Sequence, residues 1–271
     1  MVDLKVTIVQ TALAWENIDA NLNSFNKKLE AVAPASTDII VLPEMFSTGF
    51  TMKKESMAET MEGPTVEWMH KTAGNKGAII TGSIIVKEDN EGLTSYYNRL
   101  IWMLPTGEYG FYDKRHLFAY GKEDQHYSAG KKRLIASVNK WKVNLQICYD
   151  LRFPVWSRQS KYQALQNGPE YDLLVVVANW PSVRSLAWKT LLHARAIENQ
   201  CYVIGVNRTG TDGNGLQYLG ESMIVGPLGD SIKILTLEED IFSHTLDREK
   251  LEEVRLKFPF WRDADEFFIQ P

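Results

Sequence analysis

The sequence predicts a mixed α/β fold. Short runs rich in β-branched residues alternate with segments whose apolar residues recur at helical spacing. Residues 39–42 and 173–177 are apolar at consecutive positions, which is typical of strands covered on both faces. No linker rich in Ser, Gly or Pro interrupts the chain, so we expect one domain over residues 1–271.

The individual elements follow from these patterns. Strand patterns occupy residues 4–9, 39–42, 78–86, 98–104, 143–148, 173–178, 202–206 and 221–225. Helical patterns occupy residues 17–32, a segment opened by Gly63-Pro64, residues 188–199, and residues 248–256 after the N-cap Asp247. The glycine-rich residues 210–215 match neither a phosphate-binding loop nor a dinucleotide fingerprint, and they predict a flexible connection.

Composition and charge exclude several classes of protein. The chain has 30 Lys and Arg residues and 34 Asp and Glu residues, and the basic residues form no stripe along the sequence. We therefore expect no nucleic-acid partner. No stretch approaches the roughly 18 uninterrupted apolar residues of a membrane span, so we expect no membrane partner. Two Cys and five His residues supply neither a disulfide framework nor the spacing of a zinc site. A reducing, cytoplasmic location is therefore expected.

Polar residues follow three of the predicted strands where each strand ends. Pro43-Glu44 follows the first, Cys148-Tyr149-Asp150-Leu151-Arg152 ends the second, and Asn179-Trp180 follows the third. Ligands of open α/β sheets bind at the carboxyl ends of strands. These three segments are therefore the candidates for a functional site.

Cys148 has two interpretations. At the tip of a strand, next to charged groups and free N–H groups, it can act as a nucleophile. A free cysteine is also often a small buried side chain, and this is the interpretation we favour for Cys201. A partner base for Cys148 would have to come from a distant part of the sequence, where His116, His126 and His193 are the histidine candidates.

A carboxylate can replace histidine as the base when its surroundings are dry enough to raise its pKa. Glu44, which directly follows an apolar strand, is such a carboxylate, and an ordinary exposed loop glutamate is the alternative. Lys114, taken singly, is no more than a solvated charge. Residue type alone leaves these alternatives open.

Three ordered motifs carry a family resemblance. They are Leu42-Pro43-Glu44, Asp113-Lys114-Arg115-His116-Leu117 and Cys148-Tyr149-Asp150-Leu151-Arg152-Phe153-Pro154. Together they resemble the nitrilase superfamily of carbon-nitrogen hydrolases, and the likeness covers nearly the whole chain. Residues 150–158 look most like the bacterial YafV-type omega-amidases, because many other relatives carry Glu at the position of Val155.

The resemblance implies a four-layer α-β-β-α sandwich with a catalytic triad of Glu44, Lys114 and Cys148. It also implies a second glutamate shortly before an Ala-Gly turn, where Glu123 fits and Asp124 is its rival. Relatives commonly pair, so a homodimer is expected. The aromatic C-terminal residues 258–268 can lie at such an interface or close the monomer's own core.

The implied reaction is amide hydrolysis by acyl transfer, with no metal and no organic cofactor. Glu44 takes the thiol proton of Cys148, while the Lys114 ammonium and the backbone N–H of Tyr149 stabilise the oxyanion. A thioester forms on Cys148. Water activated by Glu44, with Glu123 helping to position it, then releases the acid.

The expected partners are small-molecule amides, namely short dicarboxylic monoamides such as 2-oxoglutaramate, 2-oxosuccinamate and succinamate. The planar fork of Arg152 suits the distal carboxylate. A structural ion pair of Arg152 with Asp150 or Glu198 is the alternative. The further substrate-binding candidates are Phe153, Asn179 and Trp180. Rival functions are an amidase for deaminated glutathione or N-carbamoyl compounds, and a catalytically silent scaffold.

Overall fold

Two six-stranded sheets and a separate hairpin form the framework of the computed structural model, which describes residues 2–159 and 168–269. The strands are β1 (Leu4–Gln10), β2 (Ile39–Val41), β3 (Ile79–Asn90), β4 (Leu93–Met103), β5 (Tyr109–Asp113), β6 (Ile135–Val138), β7 (Trp141–Ile147), β8 (Leu173–Ala178), β9 (Tyr202–Asn207), β10 (Thr209–Thr211), β11 (Gln217–Leu219), β12 (Met223–Val225), β13 (Ser231–Ile234) and β14 (Asp240–Leu246). The first sheet has the order β14-β1-β2-β3-β4-β5 and the second β13-β12-β9-β8-β7-β6, while β10 and β11 pair with each other.

Both sheets are parallel at their centres. Strands β1, β2 and β3 run parallel, as do β7, β8 and β9, and antiparallel strands flank each group. The residues that follow β2, β7 and β8 are in contact: Asn179 donates its N–H to Glu44, and the Cys148 sulfur lies 3.9 Å from the Asn179 carbonyl oxygen. The carboxyl ends of these three strands therefore meet, as the sequence predicts.

Helices flank the two sheets in the described residues. They are α1 (Ile18–Leu29), α2 (Lys54–Met57), α3 (Pro64–Lys76), α4 (Pro154–Ser157), α5 (Ser185–Asn199) and α6 (Arg248–Lys257). Buried apolar side chains of both sheets form the central core. Phe25 and Met69 join the first sheet to α1 and α3, and Trp188 and Leu192 join the second sheet to α5. The predicted four-layer α-β-β-α sandwich is confirmed.

The element boundaries mostly agree with the sequence pattern. Asn17 caps α1 by accepting the Ala20 N–H, and Asp247 caps α6 by accepting the Lys250 N–H. The last predicted strand begins at Met223, because Glu221 has a φ of 57° and cannot be extended.

The prediction of a flexible connection at residues 210–215 is wrong. They belong to the β10–β11 hairpin, and the Asp212 carboxylate holds it together. This carboxylate accepts the N–H groups of Asn214 and Leu216 at 2.8 and 3.0 Å and the Tyr218 hydroxyl at 2.9 Å. The sequence pattern missed this because the turn depends on hydrogen bonds of the Asp212 side chain as well as on the positive φ of Gly210 and Gly215.

The C-terminal segment leaves large apolar side chains exposed, among them Leu256, Phe260 and Phe268. A homodimer formed through this segment stays a prediction. None of the helices in the described ranges combines the length and apolarity needed to cross a bilayer. The cytoplasmic location inferred from composition also stays a prediction.

Candidate active site

Cys148 lies where β7 turns sharply into the 3₁₀ helix Cys148–Arg152. Its φ of 44° is in the left-handed region, which costs a residue with a Cβ roughly 1–2 kcal/mol. Tyr149 follows in the first turn of this helix, where N–H groups have no partner within the helix. The turn thus exposes the sulfur to a cavity and places a backbone donor beside it.

Asp150 holds this turn in place. Its buried carboxylate accepts the Ile147 N–H at 3.1 Å and the Tyr112 hydroxyl at 2.7 Å. The backbone N–H of His116 and its ring Nδ1 lie 2.9 and 2.8 Å from the other carboxylate oxygen. Because His116 belongs to the loop that also carries Lys114, Asp150 ties the Cys148 turn to that loop. His116 is therefore engaged with Asp150 and not with Cys148.

A buried cluster of one lysine and two glutamates lies beside the thiol. The Lys114 Nζ is 2.9 Å from Glu44 Oε1, and it lies 3.0 and 2.9 Å from the two oxygens of Glu123. All three side chains are at most 1 % exposed. Glu123 also accepts the Phe118 N–H, whereas Asp124 points to solvent, so the structure brings Glu123 and not its neighbour into the site.

Two asparagines complete the cluster. The side-chain amide of Asn98, in the middle of β4, donates to Glu44 at 2.8 Å and to Glu123 at 3.2 Å. Asn179 donates its backbone N–H to Glu44 Oε2 at 2.8 Å and its side-chain amide to the Glu44 carbonyl at 2.6 Å. Sequence reasoning assigned Asn179 to substrate binding and missed Asn98. The structure shows both residues holding Glu44.

The pKa shifts follow from burial and from these contacts. Burial and the neighbouring charge of Glu44 raise the pKa of the Cys148 thiol, and the opposing charge of Lys114 does not offset them. The pKa of Glu123 is raised by burial and by Glu44, against the pull of Lys114. Burial disfavours the charged form of Lys114, but the two glutamates outweigh it and raise its pKa. The resting site therefore holds a protonated thiol beside a permanent cation.

A cavity of about 620 Å³ opens above Cys148. Lys114, Tyr149, Arg152, Asn179 and Trp180 line it. Phe153 does not: it stacks on His116, with the ring centroids 3.8 Å apart. Phe153 therefore does not form the predicted pocket wall. It packs against His116, which in turn contacts Asp150. Among the residues described, no group of three or more His, Cys, Asp or Glu side chains is arranged to hold a metal ion.

Arg152 is not engaged by either of the acids considered from the sequence. Its guanidinium lies 4.9 Å from the ring centroid of Trp180. Asp150 is occupied as described above, and Glu198 pairs with Arg195 at 3.0 Å. Within the described ranges no carboxylate forms an ion pair with Arg152, whose charge therefore faces the cavity.

A cysteine with a left-handed backbone conformation, a buried Glu-Lys-Glu cluster and a cavity come together where the two sheets meet. The family model for carbon-nitrogen hydrolases matches residues 5–256. The chain belongs to the carbon-nitrogen hydrolase family, as the sequence motifs predict.

Individual relatives narrow the comparison. The chain is 43 % identical to an omega-amidase, YafV, of Escherichia coli over 98 % of this chain and 99 % of that one. It is 32 % identical to a 2-oxoglutaramate amidase of Bacillus subtilis over 83 % and 84 % of the two chains. The solved structure of XC1258 from Xanthomonas campestris, a CN-hydrolase superfamily protein with an arsenic adduct in its active site, superposes with a TM-score of 0.94 at 41 % identity over both full lengths.

Proposed function

We propose that the protein is an omega-amidase. It hydrolyses the terminal amide of short dicarboxylic monoamides, with 2-oxoglutaramate, 2-oxosuccinamate and succinamate as the substrate class, to the acid and ammonia. The single observation that carries the proposal is that Cys148 and Arg152 line the same cavity, while Arg152 forms no ion pair with an acid in the described ranges. The omega-amidase and 2-oxoglutaramate amidase relatives support the same substrate class.

The reaction begins with proton transfer. Because the pKa of Cys148 is raised, the thiol must lose its proton as it attacks, and Glu44 is the base beside it. The sulfur bonds to the amide carbon, and the carbonyl electron pair moves to oxygen. Lys114 Nζ and the Tyr149 N–H stabilise this oxyanion, each contributing about a hundredfold or more in turnover.

The second half of the reaction releases both products. Glu44 returns the proton to the departing nitrogen, the C–N bond breaks, and ammonia leaves a thioester on Cys148. Water then loses a proton to Glu44 and attacks the thioester, and the thiol recovers that proton as the acid departs. Glu123 keeps Lys114 and, through Asn98, Glu44 in position during both steps.

Ammonia release from succinamate, 2-oxosuccinamate and the uncharged butyramide tests the proposal. Cys148→Ala is expected to lose at least about a thousandfold in kcat while keeping its unfolding temperature. Cys201→Ala is the matched control, since that cysteine is buried in the core beside α5, and it keeps its activity. Turnover of butyramide in preference to succinamate, or an active Cys148→Ala, would contradict the proposal.

A further inference from the structure

A second arginine in the cavity is not used by the mechanism above. Arg184, directly before α5, lines the same cavity as Cys148 and Arg152. Its guanidinium lies 5.2 Å from the ring centroid of Phe118. No described carboxylate forms an ion pair with it. The cavity thus contains two guanidinium groups that form no ion pair with a carboxylate of the described residues.

Both arginines are held close to the reacting groups by aromatic rings. The Trp180 indole stacks under Arg152 and donates its N–H to the Arg184 carbonyl at 2.8 Å. Phe118, which lies under Arg184, packs edge-on against Tyr149 at 5.0 Å. Arg184 is thus connected through Phe118 to Tyr149, the proposed oxyanion donor, and Arg152 belongs to the same 3₁₀ helix as Tyr149.

The acidic residues of the cavity do not neutralise these forks. Glu16 binds Lys53 at 2.7 Å and the Thr51 hydroxyl at 2.6 Å. Asp212 is occupied within the β10–β11 hairpin, as described above. The two guanidinium groups therefore favour an anionic ligand with more than one oxygen acceptor at its distal end.

We propose that Arg184 recognises the 2-oxo group of the substrate while Arg152 binds the neighbouring carboxylate, so that Arg184 selects 2-oxo acid monoamides over saturated ones. This inference rests on the proposed function. One carboxylate satisfies one guanidinium fork, and succinamate offers no further acceptor at that end. A 2-oxo acid carries a carbonyl oxygen directly beside the carboxylate, which the second fork can donate to.

The test is the ratio of kcat/KM for 2-oxosuccinamate to kcat/KM for succinamate. In Arg184→Met this ratio is expected to fall tenfold or more, because a hydrogen bond to a charged donor contributes about 1.5–3 kcal/mol. In Arg152→Met both values fall and the ratio stays within about threefold of wild type. Arg184→Lys, which keeps the charge and loses the fork, gives an intermediate ratio and guards against misfolding of the first variant.

Lys189→Met is the matched control, because it removes a positive charge from α5 that pairs with Glu221 and does not line the cavity. It leaves the ratio unchanged. Equal loss for both substrates in Arg184→Met, or no loss for either, overturns the assignment of the 2-oxo group to Arg184. If the wild-type protein releases ammonia from neither substrate, the proposed function has failed, which is a different result.

Discussion

Two buried charge clusters lie at opposite ends of β8 and are built from the same kinds of side chain. At the carboxyl end, where Asn179 follows the strand, two glutamates share one lysine. At the amino end, Asp172 precedes the strand and pairs with Arg255 at 2.6 Å and Arg248 at 2.8 Å. In the first cluster two carboxylates share one cation, whereas in the second Asp172 contacts two cations, of which Arg248 also pairs with Glu252 at 2.6 Å.

This imbalance sets the pKa values in opposite directions. Burial acts on both carboxyls to raise the pKa. In Asp172 the two arginines and the Lys142 N–H outweigh burial and lower the pKa. In Glu123 the single lysine is shared with Glu44, and the pKa is raised. Two cations around one buried carboxylate thus favour its charged form, whereas one cation shared by two carboxylates does not outweigh the effect of burial on Glu123.

The comparison predicts that a substitution in the first cluster lowers activity without lowering the stability of the fold. Glu44→Gln removes the proposed base for the Cys148 proton but keeps the size of the side chain. We expect kcat for succinamate to fall about a thousandfold, within the range of general-base contributions. The unfolding temperature, measured by circular dichroism, is expected to stay within a few degrees of wild type. A variant with more than a tenth of wild-type kcat would show that Glu44 is not the base.

The second cluster should behave in the opposite way. Asp172→Asn leaves Arg255 without its carboxylate, while Arg248 keeps Glu252, and breaking a buried pair in this manner costs about 3 kcal/mol. For a chain of this size that corresponds to a drop of roughly 6–9 °C in Tm. The kcat measured well below Tm is expected to be unchanged, because this cluster lies at the far end of β8. A loss of activity without a loss of stability would remove the distinction between the two clusters.

The sequence predicted the charged residues that meet in the first cluster better than the residues that support them. Glu44, Lys114 and Cys148 stand in motifs that can be recognised residue by residue. Asn98 stands in the middle of a strand, and its role depends on the cross-strand position of β4 relative to Lys114, which the sequence pattern does not contain. The strands themselves were predictable because their apolar runs follow from burial on both faces.

Other parts of the molecule depend on long-range pairing. The edge strand β14 pairs with β1 across more than two hundred residues, and its half-exposed positions give only a weak strand pattern. The support of the Cys148 turn by Asp150 involves Tyr112 and His116 from another strand and loop. Such contacts appear only when the two sheets are brought together, so the sequence placed His116 among the candidate bases for Cys148 and gave no reason to connect it with Asp150.

The opposite pKa shifts also separate the pH dependence of activity from that of stability. A raised pKa means that Glu123 takes up its proton at a higher pH than an ordinary glutamate, whose pKa is about 4.3. Activity should therefore decline as the pH falls through a midpoint above that value. Asp172, with a lowered pKa, contributes stability that is fully present above about pH 4 and is lost only as the pH falls through its folded-state pKa.

The variant Glu123→Gln tests the pH dependence of activity that is assigned to Glu123. The glutamine carries at every pH the neutral side chain that protonated Glu123 carries at low pH. The decline of kcat/KM for succinamate that is assigned to Glu123 is therefore expected to be absent in this variant, and the rate above the wild-type midpoint is expected to be lower than in wild type. Asp172→Asn serves as the control and keeps the wild-type midpoint, while its stability deficit shrinks below about pH 4. An acid decline that keeps the wild-type midpoint in Glu123→Gln would show that Glu123 is not the group that sets it.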